Sequence, residues 1–216
     1  MDNCIYIPIG FQCTSAEILR KTNKRIESYP FDWILSNPKA IYYCISKLME
    51  TTSIEQFVEN EFLDISNFVL TSKPEVFHST TKNTSILHNQ HLNIIFPHEK
   101  EARDEVIKKY TRRFLRLQEL IKNTNQFLVF LYVNRLGSKH SFTIDDIDIL
   151  KNSDIYLKEL CTLLQTVRGK DTFRIVCISH CNNKNILYHE NINIIQINSN
   201  NMLLNDDEII KALVEF

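Results

Sequence analysis

Gln126-Phe127-Leu128-Val129-Phe130-Leu131-Tyr132-Val133 is apolar from Phe127 onward with no alternation, the pattern of a strand buried on both faces of a helix-covered sheet. Phe173 to Ser179 and Ile192 to Ile197 repeat it, and Tyr156 to Val167 between the first two is amphipathic. Strand, helix, strand with apolar central strands predicts an α/β fold, a mostly parallel central sheet flanked by helices. Upstream, the apolar run Ile5 to Ile9 ends at Gly10, and Ala16, Ile18, Leu19 and Thr22 follow at helical spacing within Thr14 to Lys24. This reads as strand, tight turn, helix. Val106, Tyr110, Phe114, Leu117 and Ile121 step by three or four along Asp104 to Lys122 and predict a helix with one buried stripe.

The remaining segments fit around that frame. Ala40 to Glu50 reads as a helix, and Asp206 to Phe216 as a closing helix with Asp206 or Asp207 near its N-cap. Pro30 and Pro38 bracket Phe31-Asp32-Trp33-Ile34, which predicts an ordered loop with a short turn. Ser53 to Leu70 reads as one helix and one strand, Thr71 to Asn89 as polar and irregular, and His91 to Phe96 as a short strand closed by Pro97. With no internal repeat and no low-complexity linker, residues 1–216 read as a single α/β domain.

Composition narrows the function classes. The chain of 216 residues carries 25 Lys plus Arg against 26 Asp plus Glu, a net charge of −1, and is 44% hydrophobic. That is an ordinary globular balance and lacks the positive footprint a duplex binder needs, so no nucleic-acid partner is expected. Only three glycines occur, Gly10, Gly137 and Gly169, too few for a glycine-rich phosphate cradle of the P-loop or dinucleotide type. Six cysteines without a charged-then-apolar leader at Met1 predict free thiols in a reducing, cytoplasmic compartment. No apolar run approaches the roughly 20 residues that cross a bilayer, so no membrane partner is expected. Heavy use of Asn and Ile, as in Asn191 to Asn201, is that of an AT-rich genome such as a large DNA virus or a low-GC microbe. Nothing in the sequence sets an oligomeric state.

Several residues are candidates for chemistry. Cys13 falls three residues after Gly10 at the strand-to-helix junction, where unpaired N–H groups and the helix dipole favour a thiolate. Its alternative is a small core residue. His98 follows Phe96-Pro97 at the end of a short strand, with Glu99 beside it, and is otherwise a surface histidine. Asp32 sits between two aromatic residues that anchor its loop, with an imidazole or a helix N-terminus as its expected partner, or serves simply as a turn aspartate. Cys177-Ile-Ser-His180-Cys181 offers thiols and an imidazole but lacks a second ligand pair, so no metal and no cofactor are expected. His78, His88 and His91 read as exposed loop residues. Lys108, Lys109, Arg112, Arg113 and Arg116 form a basic face opposite the apolar stripe of the long helix, a solvated face or a seat for phosphate or another acidic partner.

Ile9-Gly10-Phe11-Gln12-Cys13-Thr14-Ser15-Ala16-Glu17-Ile18-Leu19 and Arg25-Ile26-Glu27-Ser28-Tyr29-Pro30-Phe31-Asp32-Trp33-Ile34 resemble the L-G-x-x-C-x-x-A-x-x-L and S-Y-P-F-D-W signature of the "putative papain-like cysteine peptidase" family, DUF1796. Phe96-Pro97-His98-Glu99 is similar to that family's F-x-H-D element and Lys109-Tyr110-Thr111-Arg112-Arg113-Phe114 to its K-Y-x-R-R helix, so the likeness covers about residues 4–135. It implies a catalytic set of Cys13, His98 and Asp32, with the cysteine before the histidine as in papain. Glu99 stands in place of the family's aspartate and Ile9 in place of its leucine. If that aspartate orients the histidine, the longer Glu99 leaves the third role to Asp32.

The function expected is a thiol-dependent hydrolase of peptides or other acyl substrates. Cys13 is its nucleophile, His98 its base and acid, Asp32 the orienter of the imidazole, and the backbone N–H groups around Gln12 and Cys13 its oxyanion donors. Two alternatives stand beside it. One is a transferase acting on glycans or nucleotide-linked sugars at the carboxyl ends of the strands, with Arg112, Arg113 or Arg135 as anion-binding residues. The other is a non-catalytic accessory protein in which Cys13 and the Pro30 to Ile34 loop only pack.

Overall fold

The computed structural model describes residues 4–71, 86–97, 101–136, 143–144, 147–148, 150–180, 189–199 and 204–215. In chain order its elements are β1 (Cys4–Phe11), α1 (Thr14–Lys21), α2 (Pro38–Glu50), α3 (Ile54–Phe57, running into a π turn at Val58–Phe62), β2 (Phe68–Thr71), β3 (Ile86–Asn89), β4 (Ile94–Phe96) and α4 (Arg103–Asn123). They continue with β5 (Phe127–Asn134), β6 (Thr143–Ile144), β7 (Ile147–Asp148), α5 (Ser153–Arg168), β8 (Phe173–His180), β9 (Ile192–Ile197) and α6 (Asp206–Glu215).

Four strands form one parallel sheet in the order β1-β5-β8-β9, with Phe11 beside Val133 and Val133 beside Ile178. The unalternating run of β5 follows from its central place. Leu128, Phe130 and Tyr132 enter the core on one face, and Val129, Leu131 and Val133 enter the core on the other. The first core holds buried residues of α2, α4 and α5, and the second takes Ile18 and Leu19 of α1 and Ile209 and Leu213 of α6. Among the described residues no helix is long and apolar enough to cross a membrane.

The helix starts follow local chemistry. Asn37 caps α2 by accepting from the Ala40 amide at 2.8 Å, with Pro38 as the first helical residue. Asn205, one residue before Asp206 and two before Asp207, caps α6 in a reciprocal box, accepting from the Glu208 amide at 2.9 Å while its own amide donates to Glu208 Oε2 at 2.8 Å.

A second, antiparallel sheet β2-β3-β4 corrects the reading of Thr71 to Asn89 as irregular, because Ile86–Asn89 is a strand. Isoleucine, leucine, histidine and asparagine in so short a run carry no period, and the strand forms because both its neighbours pair with it. His88, expected in an exposed loop, is thereby buried at 1% exposure. His91 is exposed and stands edge-on to Tyr43 at 6.2 Å. His78 lies outside the described residues.

Candidate active site

At the carboxyl end of β1 the chain turns sharply into α1. Gly10 has φ +126°, and a Cβ there would meet the Ser36 carbonyl oxygen and Oγ at 2.9 Å each. Only glycine lets the strand end so close to Ser36, whose amide donates to the Phe11 carbonyl at 3.1 Å. Ser15 Oγ donates back to the Gly10 carbonyl and pins the first turn of α1. Gln12 and Cys13 form the junction, Cys13 is the N-cap residue of α1 without a side-chain cap bond, and its carbonyl accepts from the Glu17 amide at 2.9 Å.

The thiol itself differs from the expectation of a favoured thiolate. Burial pushes Cys13 up to about 11, the backbone hydrogen bond at Cys13 pulls the other way, and the Glu17 and Asp32 charges add to the rise. Desolvation therefore outweighs the helix terminus, and the resting sulfur holds its proton at neutral pH. The five described cysteines, Cys4, Cys13, Cys44, Cys161 and Cys177, are free thiols, and Cys181 lies outside the described residues.

Asp32 is fully buried in the loop that follows α1. Phe31 anchors that loop edge-on against Phe114 of α4 at 6.1 Å. Among the described residues the partner of the carboxylate is a guanidinium: Arg25 Nε and Nη2 donate to Oδ2 at 3.1 and 2.5 Å. Arg25 also donates to Ser28 Oγ at 2.7 Å and lies over the Trp33 ring at 5.7 Å. Burial pushes the Asp32 carboxyl up, against the pull of Arg25. Oδ1 is buried and has no hydrogen-bond partner among the described residues.

The same loop ties β1, the strand before Cys13, to β4, the strand that precedes His98 in the sequence. Phe11 bridges Ser36, and Leu35 bridges Ile95 of β4, with bonds of 2.9 and 3.0 Å between Leu35 and Ile95. His98 and Glu99 lie outside the described residues. The structure thus brings Cys13 and Asp32 into one electrostatic neighbourhood at the meeting point of β1 and β4.

The basic residues part company. Arg112 is exposed, but Arg113 is not on a solvated face: it is 9% exposed, with its guanidinium over the Tyr110 ring at 5.4 Å. The physical reason is helical geometry, because position 113 falls three residues from Tyr110 and four from Leu117 and shares their stripe. Lys108 pairs with Glu105 at 3.0 Å and Lys109 with Glu101 at 2.6 Å, while Arg116 pairs with Glu27 and donates to the Ser28 carbonyl at 2.6 Å. Arg135 donates to the Leu204 carbonyl at 2.7 Å, pairs with Asp206 at 2.7 Å and reaches Thr14 Oγ1 at 3.5 Å. Asp206 also takes Lys21 at 2.6 Å; burial alone would raise its carboxyl, and Lys21 and Arg135 together hold it below the usual range.

Sequence reasoning missed two features of this edge. Arg25 is one, although a cation seven residues before an aspartate flanked by aromatics was the available signal. The burial of His180, named in the sequence only as part of a metal-ligand cluster, is the other: the residue closes β8 at 3% exposure and stands in the field of Glu208, a carboxyl held low first by Ser199 and the Asn205 amide. Among the described residues no cluster of three His, Cys, Asp or Glu could hold a metal ion.

A family model described as "Putative papain-like cysteine peptidase (DUF1796)" matches residues 4–183, beyond the 4–135 read from the motifs. No curated protein and no solved structure matches the chain.

Proposed function

Because the chain belongs to the family described as "Putative papain-like cysteine peptidase (DUF1796)", we propose that it is a thiol-dependent acyl hydrolase in which Cys13 attacks a peptide or other acyl carbonyl. The observation that carries this reading is the placement of Cys13 at the uncapped start of α1, at the carboxyl end of a parallel strand, within the field of a buried aspartate. His98 takes the thiol proton as the sulfur attacks and returns it to the leaving group, and the N–H groups around Gln12 and Cys13 hold the oxyanion. Asp32 orients the imidazole through Oδ1, the oxygen that Arg25 leaves over. What supports His98 in this role is the double bridge Phe11–Ser36 and Leu35–Ile95, which fastens the strand before it to the loop of Asp32 and the strand of Cys13.

A sulfur that rests protonated does not conflict with this reading. A base beside it removes the proton as the bond to carbon forms, and a protonated resting thiol is protected from adventitious oxidation. The transferase alternative uses the same strand end, but Arg135, which would hold its phosphate, is committed to Asp206 and the Leu204 carbonyl.

The test is acyl transfer to the protein itself. Incubated with p-nitrophenyl acetate, the chain gains one acetyl group on the Cys13 peptide in a burst and then turns over. Cys13→Ser removes the burst and His98→Ala slows it. Acetylation spread over all exposed thiols, or a burst that survives Cys13→Ser, sinks the reading.

A further inference from the structure

Arg135 follows β5 at the carboxyl end of the parallel sheet, and its guanidinium meets three groups of this chain. Nε donates to the Leu204 carbonyl at 2.7 Å, Nη2 pairs with Asp206 Oδ1 at 2.7 Å, and Nη1 reaches Thr14 Oγ1 at 3.5 Å. The Leu204 amide donates in return to the Arg135 carbonyl at 3.1 Å, so the residue is held by its backbone as well. Asp206 is shared, because its other oxygen accepts from Lys21 at 2.6 Å. Thr14 is the first residue of α1 and Lys21 the last. One ion pair therefore holds both ends of an eight-residue helix that is about 12 Å long. Cys13 is the N-cap of that helix. The other contact between α1 and α6 is apolar, Ile18 and Leu19 against the core of Ile209 and Leu213. Apolar burial is not directional and does not by itself set how far a helix slides or turns. Polar contacts do, and Ser15 holds the first turn from β1 while Arg135 holds it from β5.

We propose that Arg135, locked by Asp206, is a positioning residue for acyl transfer: it fixes the start of α1, and with it the Cys13 sulfur and the N–H groups around Gln12 and Cys13 that receive the oxyanion. The inference rests on the reading of Cys13 as nucleophile. A rigid guanidinium fork serves a carbonyl, a carboxylate and a hydroxyl together, which a single ammonium point charge does not. Each partner of the ion pair is 26% exposed, so the pair adds little to stability and its loss is read in the rate rather than in the fold. Leu204 and Asp206 lie beyond the residues 4–183 that match the family. The segment that ends in α6 thus supports the site although the family match does not include it.

The test is the acetylation burst at the Cys13 peptide in the full-length chain, run over a range of p-nitrophenyl acetate concentrations so that the burst rate constant separates from its half-saturation. Arg135→Met lowers the rate constant by about tenfold or more, the scale on which a displaced nucleophile loses rate, and leaves the half-saturation concentration unchanged. Asp206→Asn and Thr14→Val lower it in the same way, and Arg135→Lys, which keeps the pair with Asp206, restores part of it. Leu213→Ala loosens the apolar packing of α6 without touching the pair, so it lowers the urea midpoint and keeps the burst of the parent. A parental rate constant in Arg135→Met or in Thr14→Val overturns the proposal, and so does a Leu213→Ala burst that falls as far as that of Arg135→Met. If Arg135→Met does not fold, Thr14→Val decides alone. No burst at Cys13 in the parent chain overturns the nucleophile reading and the proposal with it, whereas a parental burst that no variant slows overturns the proposal alone.

Discussion

Arg25 places both Nε and Nη2 on a single oxygen of Asp32, at 3.1 and 2.5 Å, and leaves the other oxygen of that buried carboxylate without a partner among the described residues. A surface pair of this kind contributes little, but here one member is fully buried. Removing the guanidinium leaves a buried carboxylate without its hydrogen-bonded cation, with only the longer-range field of Arg113 acting on it. Arg25→Met is expected to cost about 3–5 kcal/mol at neutral pH, measured by urea unfolding. The sign with pH follows from the raised carboxyl: its contribution is most favourable when Asp32 is protonated and is lost as pH rises. The deficit of Arg25→Met therefore shrinks on acidification, and a deficit that grows toward low pH contradicts the pairing.

Gly10 meets Ser36 where no side chain fits, since its φ is +126° and a Cβ would lie 2.9 Å from two Ser36 oxygens. Gly10→Ala is expected to cost about 1–3 kcal/mol in strain, with further loss from displacing Ser36. Because the same residue sets the entry to α1, the Cys13 alkylation rate should change with it. A variant as stable as the parent shows that the strand end is not constrained as described.

Phe114 is the centre of the aromatic core beneath the Asp32 loop, with Phe31, Phe57 and Phe62 edge-on at 6.1, 5.2 and 4.9 Å. Phe114→Ala should lose about 3–5 kcal/mol by urea unfolding. Phe114→Leu should lose clearly less, because it keeps much of the volume.

Buried thiols and phenols make the fold sensitive to base. Burial pushes Cys13 up to about 11, and Cys161, Cys177 and Tyr29 up to about 12, while Cys44 is pushed up as well. Each group is raised in the folded state, so its contribution is whole below the unfolded value, near 9 for the thiols and near 10 for Tyr29, and is lost as pH rises through the folded one. The urea midpoint should be level from pH 7 to about 8.5 and fall steeply above it. Cys44→Ala should reduce that fall relative to its own neutral value.

The parallel sheet was readable because β5 and β8 are buried on both faces, and such strands write their position directly as unbroken apolar runs. The helix α4 was readable from its stripe, yet the stripe hid Arg113: periodicity marks which face is buried, and a charged residue on that face is invisible to a scale that sorts by polarity. The strand Ile86–Asn89 was not legible, since it has no period and forms by antiparallel pairing with the distant strand Phe68–Thr71, from Thr71 beside Ile86 to Phe68 beside Asn89. The place of Cys13 at the start of α1 and of Asp32 in an anchored loop was legible through their motifs. The partnership of Asp32 with Arg25 was not, because an aspartate flanked by aromatics does not say in sequence which cation reaches it. The raised Cys13 thiol escaped for a related reason: sequence places a cysteine at a helix start, but how deeply the turn is covered depends on Ser36 and the loop before it.

The most direct test of the central claim is the Cys13 thiol pKa, read from the pH dependence of iodoacetamide alkylation at the Cys13 peptide, in the parent chain and in His98→Ala. Burial, Glu17 and Asp32 put the parent's thiol near 11, and a working thiol and imidazole pair predicts that the parent nevertheless reacts at neutral pH about 100-fold faster than the variant. The same neutral rate in both proteins would contradict the account.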